Sequence, residues 1–224
     1  MVFVTGDKHG DLTEIINFVQ KFELNKNDSI IVLGDMGVCW RKDKKDLKYN
    51  VDLWAARGNG VKLYFIDGNH ENFRILNSLP IENNMHKVAD NIYHLLRGQV
   101  YEFEGKKILA MGGADSVDWF LRIKNLDWWE EETISQEDID RVPAGHYDYV
   151  LTHCCSRNVF EENKVYLITL GRIDQDKVNH NSEDKLQQLF EKITFNHHYF
   201  GHYHIDKDLD GKHTCLYNEF RELK

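Results

Sequence analysis

The sequence predicts an α/β protein, and three features of its 224 residues indicate this class. Short β-branched runs alternate with helical periodicity in the first half, a pattern typical of parallel strands joined by helices. Hydrophobic residues make up 42% of the chain and charged residues 29%, as in an ordinary folded globular protein. The length suits one compact core. We therefore expect a single α/β domain over residues 1–224.

The first half predicts a parallel sheet with crossover helices. Buried strands are expected at 1–5, 29–34 and 61–66, where β-branched and aromatic residues dominate. Apolar residues spaced i, i+3, i+4, i+7 over 12–19 predict an amphipathic helix, and a more polar helix is expected over 44–57. The resulting β-α-β-α-β order implies right-handed crossovers.

The second half of the sequence has a different pattern from the first. Three runs are expected to form an antiparallel meander that turns at Gly105, namely 92–96, 99–105 and 106–113. Further buried strands are expected at 148–153 and 197–202. Between these groups, residues 115–142 are rich in tryptophan and acidic residues, and we expect them to form an insertion packed by its own aromatic side chains.

Charge and cysteine usage narrow the classes of partner and compartment. The net charge is −9, which disfavours duplex nucleic acid and anionic membranes as main partners, because phosphate-backbone affinity depends on Lys and Arg. The sequence has no apolar stretch long enough to span a bilayer and no signal-peptide pattern at its start. Its four cysteines form no CxxC pair and are expected to be reduced thiols. These features predict a cytoplasmic protein, and they leave the oligomeric state open.

Polar side chains follow five predicted strands at the points where the strands end. They are Asp7 and His9, Asp35, Asn69 and His70, His153, and His202 and His204. Any one of them alone is more often a structural residue, such as a turn or helix-cap residue. Because the carboxyl ends of strands in an open α/β sheet meet in one crevice, their joint occurrence predicts a metal site.

Five ordered motifs carry a resemblance to a known family. They are GDKHG (6–10), LGDMG (33–37), DGNHE (67–71), LTHC (151–154) and FGHYH (200–204). In this order they resemble the calcineurin-like metallophosphoesterase superfamily, and the match spans nearly the whole chain. The resemblance implies a four-layer α/β/β/α sandwich with mixed sheets, a dinuclear metal centre and hydrolysis of phosphate esters.

The resemblance also implies a role for each motif residue. Two divalent transition-metal ions are held, with Asp35 bridging, by Asp7, His9 and His204 on one side and by Asn69, His153 and His202 on the other. Mixed imidazole and oxygen ligands suit such ions, so Mn is expected first, with Fe or Zn as alternatives. A hydroxide held between the ions would attack phosphorus, and His70 would protonate the leaving group as general acid.

One departure from the family pattern narrows the substrate. Protein Ser/Thr phosphatases of this superfamily read GDxVDRG at the second motif, whereas this chain has Val38 and Cys39 in place of the second Asp and the Arg. A protein phosphatase is therefore disfavoured. Without that carboxylate partner His70 is expected to be less basic and less fixed, unless another group such as Asp67 or a backbone carbonyl takes the role. Arg74 is a candidate phosphate contact, although a solvated helix residue explains it equally well.

The expected substrate is a small-molecule or nucleotide phosphomonoester or phosphodiester. Trp40, Trp119, Trp128 and Trp129 could stack a nucleobase near the centre, but burial in the core is the commoner fate of tryptophan. Two alternatives stay open: a non-catalytic metal-binding scaffold of the same fold, which would be expected to have lost ligands, and a single-strand nuclease, whose activity would fall steeply with salt.

Overall fold

The computed structural model describes residues 1–39, 45–167 and 178–224. The helices are α1 Thr13–Lys21, α2 Lys45–Arg57, α3 Phe73–Leu76, α4 Gln136–Arg141, α5 Arg157–Leu167 and α6 Asn181–Lys192. The strands are β1 Val2–Thr5, β2 Ser29–Leu33, β3 Lys62–Ile66, β4 Ile81–Glu82, β5 Met85–Ala89, β6 Ile92–Leu95, β7 Gln99–Phe103, β8 Lys106–Met111, β9 His146–Thr152, β10 Thr194–Phe200, β11 Lys207–Asp208, β12 His213–Cys215 and β13 Arg221–Glu222. No helix in these ranges is both long and apolar enough to cross a membrane.

The first sheet has the strand order β13-β1-β2-β3-β6-β5-β4. Strands β1, β2, β3 and β6 run parallel, and antiparallel strands border them on both sides. The parallel strands read as continuous apolar runs because both of their faces are covered. This arrangement confirms the β-α-β-α-β prediction for the first half of the chain.

The second sheet has the strand order β11-β12-β10-β9-β8-β7 and is also mixed. The predicted hairpin of β7 and β8 is present, but the prediction that β6 joins them in a meander is wrong. β6 pairs with β3 in the first sheet, and the chain then crosses to the second sheet. Three of the four β6 side chains are buried, so the strand needs cover on both faces. A meander with one face in water would not provide that cover.

Three clusters of buried apolar side chains fill the spaces between the layers. The cluster between the sheets combines residues such as Leu33 of β2 and Leu151 of β9. A second cluster packs α1 and α2 on the outer face of the first sheet, and a third packs α4, α5 and α6 on the outer face of the second. The predicted four-layer α/β/β/α arrangement of two mixed sheets and flanking helices is thus present.

The loop after β3 lies directly against the loop after β2. A Cβ atom added at Gly68 would fall 2.2 Å from Asp35 Oδ1 and 2.6 Å from the Asp35 backbone nitrogen. Only a residue without a side chain fits between these loops. The close approach holds the ends of neighbouring strands together where the polar motif residues lie.

We expect Gly68→Ala to lower the free energy of unfolding by about 1 to 3 kcal/mol, because the added methyl group forces the two loops apart. Chemical denaturation followed by circular dichroism measures the change. Gly145→Ala is the matched control, since the nearest atom to a Cβ at Gly145 is Lys107 Nζ at 3.8 Å. Equal stability of the two variants would contradict the close packing of these loops.

Candidate metal centre

The structure brings the eight motif residues to one place, at the carboxyl ends of strands from both sheets. The first sheet supplies residues after β1, β2 and β3, and the second supplies residues after β9 and β10. The residues that meet are Asp7, His9, Asp35, Asn69, His70, His153, His202 and His204, each in contact with at least one other member of the set. The crevice predicted from the strand ends is therefore present.

Three of these residues form one possible metal-binding group. His204 Nε2 lies 3.1 Å from Asp7 Oδ2 and 2.9 Å from His9 Nε2. The His9 ring nitrogen is in turn 3.8 Å from Asp7 Oδ2. All three ligand atoms lie within 4.8 Å of one another, so one ion could contact them together. The grouping is the one that the sequence predicts for the first metal.

Asp35 lies at the middle of the site. Its Oδ2 atom is 3.9 Å from His9 Nδ1, 3.9 Å from His70 Nε2 and 3.5 Å from His153 Nε2. It belongs to two possible metal-binding groups, one with His9 and His70 and the other with Asp7 and His153. A carboxylate shared in this way fits the bridging role that the resemblance implies.

The remaining predicted ligands connect through His153. Its Nε2 atom is 3.2 Å from the Asn69 side-chain oxygen, and its ring centroid is 5.0 Å from that of His202. The backbone N–H of His202 also donates to Asp7 Oδ1 at 2.9 Å. The donors offered here are imidazole, carboxylate and amide oxygen, a mixture that suits divalent transition metals. The residues present therefore fit the metals that the sequence predicts.

Hydrogen bonding orients His153 toward the centre. Its Nδ1 lies 2.6 Å from the Leu33 carbonyl oxygen, which leaves Nε2 facing Asp35 and Asn69. Burial alone would lower the pKa of His153, but the carboxylates of Asp35 and Asp7 outweigh it and raise the pKa to about 10. A metal ion binding at this nitrogen must therefore displace a proton.

Four of the predicted ligands have left-handed backbone conformations. The φ angles are 46° at His9, 47° at Asp35, 69° at His202 and 52° at His204. Non-glycine residues rarely adopt positive φ, and each instance carries a cost that the surrounding structure must offset. The strained positions lie in the loops that aim side chains into the crevice.

Glu71 ties two of these loops together, a role that sequence reasoning missed. Its buried carboxylate accepts hydrogen bonds from the backbone N–H groups of Met36 at 2.8 Å and Gly68 at 2.6 Å. In the sequence this residue is the last of the third motif, DGNHE. An acidic residue beside glycine-containing turns in the sequence is a signal that its carboxylate binds the turn backbone, because backbone N–H groups in turns need acceptors.

Asp67 bonds to His94 and Arg97 and does not take the role of partner to His70. Its Oδ1 atom lies 3.0 Å from His94 Nε2, and its Oδ2 atom accepts a hydrogen bond from Arg97 Nε at 2.8 Å. Arg97 and His94 outweigh the effect of burial and hold the pKa of Asp67 well below its usual range. Both oxygens of the Asp67 carboxylate therefore have partners in β6 and the residues directly after it.

A hydrogen-bond chain links Asn69, a predicted metal ligand, to the segment predicted as an insertion. The Asn69 side-chain amide donates to Ser116 Oγ at 3.1 Å, and Ser116 Oγ donates to Glu132 Oε2 at 2.9 Å. Glu132 Oε1 accepts from Trp128 Nε1 at 2.9 Å. Ser116 and Glu132 are both almost fully buried. The segment is therefore part of the wall of the site.

The tryptophans of this segment have different environments. Trp129 is buried in the core of the first sheet, as the commoner expectation held. Trp119 is 43% exposed, Trp128 is half-buried, and their ring centroids are 6.3 Å apart. Both line a cavity of about 160 Å³ that Ser116 and Glu132 also line. Trp40 lies outside the described residues.

Arg74 and Arg122 differ in their relation to the site. Arg74 is exposed on α3, and its phosphate contact stays a prediction. Arg122, which sequence reasoning missed, lies with its Nη2 atom 3.3 Å from His70 Nε2. It sits 52 residues from His70 along the chain, so no local spacing signalled the contact.

We expect Glu132→Gln to gain stability relative to the wild type as pH rises from 5 to 8. Burial raises the pKa of Glu132 to about 7, despite hydrogen bonds from Ser116 that lower it. Below the ordinary pKa the folded and unfolded states both hold the proton. Between the ordinary pKa of 4.5 and about 7 the unfolded state ionises while the buried group in the folded state keeps its proton, so the stability of the wild type falls over this interval and levels off above it.

The difference in the free energy of unfolding between Glu132→Gln and the wild type should grow by about 1 to 3 kcal/mol from pH 5 to pH 8. Urea unfolding at several pH values, with chelator present to remove metal linkage, measures it. Glu130→Gln, at an exposed carboxylate of the same short helix, is the control. A pH-independent difference for Glu132→Gln would contradict the raised pKa.

Comparison with known proteins agrees with this geometry. A family model described as calcineurin-like phosphoesterase matches residues 1–206, which include every predicted metal ligand and His70. A search of curated proteins gives no match. The matched residues cover far more than half of the chain, and the resemblance seen in the five motifs is confirmed. The chain belongs to the calcineurin-like phosphoesterase family, whose general chemistry is metal-dependent hydrolysis of phosphate esters.

Proposed function

We propose that this chain hydrolyses phosphate esters of small molecules, nucleotides included, with two divalent transition-metal ions. The observation that carries the proposal is the convergence of all eight motif residues around Asp35, whose carboxylate is shared by two possible metal-binding groups. Mn is the first candidate metal, and Fe or Zn are alternatives, because imidazole and oxygen donors are mixed in the site.

Each metal would have its own set of ligands. Asp7, His9 and His204 would hold one ion, Asn69, His153 and His202 would hold the other, and Asp35 would contact both. Bound divalent ions stabilise negative charge on a phosphoryl group and lower the pKa of water. The Leu33 carbonyl keeps the Nε2 atom of His153 directed into the site.

His70 is the proposed proton donor to the leaving group. Its backbone N–H donates to Asp35 Oδ1 at 2.9 Å, which fixes the residue beside the centre. Its Nε2 atom lies 3.9 Å from Asp35 Oδ2 and faces the crevice rather than the core. A donor on this side would protonate the oxygen that leaves phosphorus, a step typically worth about 10² to 10⁴ in rate.

Several features support a small substrate. The chain carries a net charge of −9, which disfavours an extended nucleic acid backbone. A cavity of about 160 Å³ beside Ser116 is too small for a large ligand and suits a single planar ring next to Trp119. The four cysteines are buried, and reduced thiols of this kind are expected in the cytoplasm, the proposed location. A non-catalytic scaffold would not require the complete ligand set and the proton donor.

We expect Asp35→Asn to lose both metal and activity, because the amide cannot bridge two cations, and His70→Asn to keep its metal. The assays are elemental analysis of Mn-reconstituted protein and hydrolysis of phenyl and p-nitrophenyl phosphate. His70→Asn should lower kcat by about 10² or more on phenyl phosphate. The loss should be smaller on p-nitrophenyl phosphate, whose leaving group needs little protonation.

His146→Asn, at an exposed histidine of β9, is the control and should match the wild type in both assays. Equal losses of His70→Asn on the two esters would exclude His70 as proton donor. An inert wild type with its metals bound would favour the scaffold. Activity on polynucleotides that falls steeply with salt would favour the nuclease.

We expect Trp119→Ala to raise KM for adenosine monophosphate about tenfold, because one stacked base contributes about 1 to 3 kcal/mol. The KM for glycerol phosphate, which has no ring, should not change. Phe120→Ala is the control, because Phe120 is on the same short helix and comparably exposed. Equal effects of Trp119→Ala on both substrates would contradict ring binding in this cavity.

A further inference from the structure

Arg122 is held against the centre rather than extended into solvent. Its side chain is only 11% exposed, and its Nη2 atom lies 2.7 Å from Asp118 Oδ1 and 3.3 Å from His70 Nε2. Its other terminal nitrogen, Nη1, donates to the Asp127 carbonyl oxygen at 3.4 Å. The Asp118 carboxylate and the Asp127 carbonyl together hold the guanidinium beside the proposed proton donor.

Arg122 brings to the centre a cation that the second motif does not supply. Cys39 stands where protein phosphatases of this superfamily have an arginine, and Cys39 is a buried core residue. Arg122 reaches the same centre from the segment that follows β8. A guanidinium carries a permanent positive charge and a planar fork of donors that matches phosphate oxygens.

Two other cations in the described part of the chain, Lys8 and Arg97, bond to groups outside the eight site residues. Lys8 Nζ is bound to Glu14 Oε2 at 3.1 Å and to the Tyr217 carbonyl at 2.7 Å. Arg97 is bound to Asp67 and to backbone carbonyls of the 131–133 loop. Among these residues, Arg122 alone reaches a residue of the reaction centre directly.

We propose that Arg122 binds a non-bridging oxygen of the phosphoryl group, next to the ester oxygen that His70 protonates, and that it makes phosphomonoesters the preferred class of substrate. A monoester dianion carries more charge on these oxygens than a diester anion and gains more from a third cation. The inference depends on the proposed function, because it assigns the phosphate to the same centre.

The test compares Arg122→Gln and Arg122→Lys with Lys124→Gln in the Mn-reconstituted protein. Lys124→Gln removes one positive charge from the same segment, at an exposed side chain paired with Glu130. The readouts are kcat and KM on p-nitrophenyl phosphate and its bis-ester, the inhibition constant of inorganic phosphate, and bound metal.

Arg122→Gln should lower kcat/KM on the monoester by about 10² or more, the usual effect of removing a donor to transition-state charge. It should also weaken inhibition by phosphate and leave bound metal unchanged. The loss on the bis-ester should be smaller. Arg122→Lys should recover part of the monoester activity, and Lys124→Gln should behave as the wild type.

Three results would overturn the inference. Arg122→Gln could match Lys124→Gln in kcat/KM and phosphate inhibition, it could lose bound metal, or it could lose as much activity on the bis-ester as on the monoester. A wild type that is inert on both esters yet binds phosphate would refute the proposed hydrolysis instead. Phosphate affinity would then still decide whether Arg122 contacts the anion.

Discussion

The site depends on the burial of two carboxylates close together. The side chains of Asp7 and Asp35 are 0% and 2% exposed. Two buried charges this close together are tolerated only where opposite charges and hydrogen-bond donors face them. Imidazoles from both sheets and backbone N–H groups of His70 and His202 supply that compensation. This compensation of charge requires the strand ends of the two sheets to lie within contact distance of each other.

That requirement explains the packing around the crevice. The loops after β2 and β3 are joined by the Glu71 carboxylate and by the absence of a side chain at Gly68. The second sheet is joined to the first where His153 bonds the Leu33 carbonyl. The apolar cluster between the sheets ends at these polar contacts, so the hydrophobic layer fixes their separation. Stability and site geometry are therefore coupled.

Local signals in the sequence predicted the strands and the polar residues that follow them, whereas the two-sheet class was implied by the resemblance of the five motifs. Apolar periodicity marks β1, β2 and β3, and a polar residue directly after a buried strand has few places to lie. The partner of β6 was mispredicted, because a buried strand does not itself specify which sheet covers it. Arg122 and Glu132 were missed as site residues for a related reason. Their contacts join residues far apart in sequence, and long-range packing decides them.

The positive φ angles of four predicted ligands restrict which residues can replace them. At His9, Asp35, His202 and His204 the backbone admits mainly glycine, asparagine, aspartate and histidine, and β-branched residues fit poorly. A residue that replaces one of these predicted ligands must adopt a positive φ angle as well as bind an ion. Cysteine, threonine or glutamate would each meet a backbone cost at these positions. Redesign toward another metal would therefore have to begin with the loops, since the side chains cannot be varied independently of them.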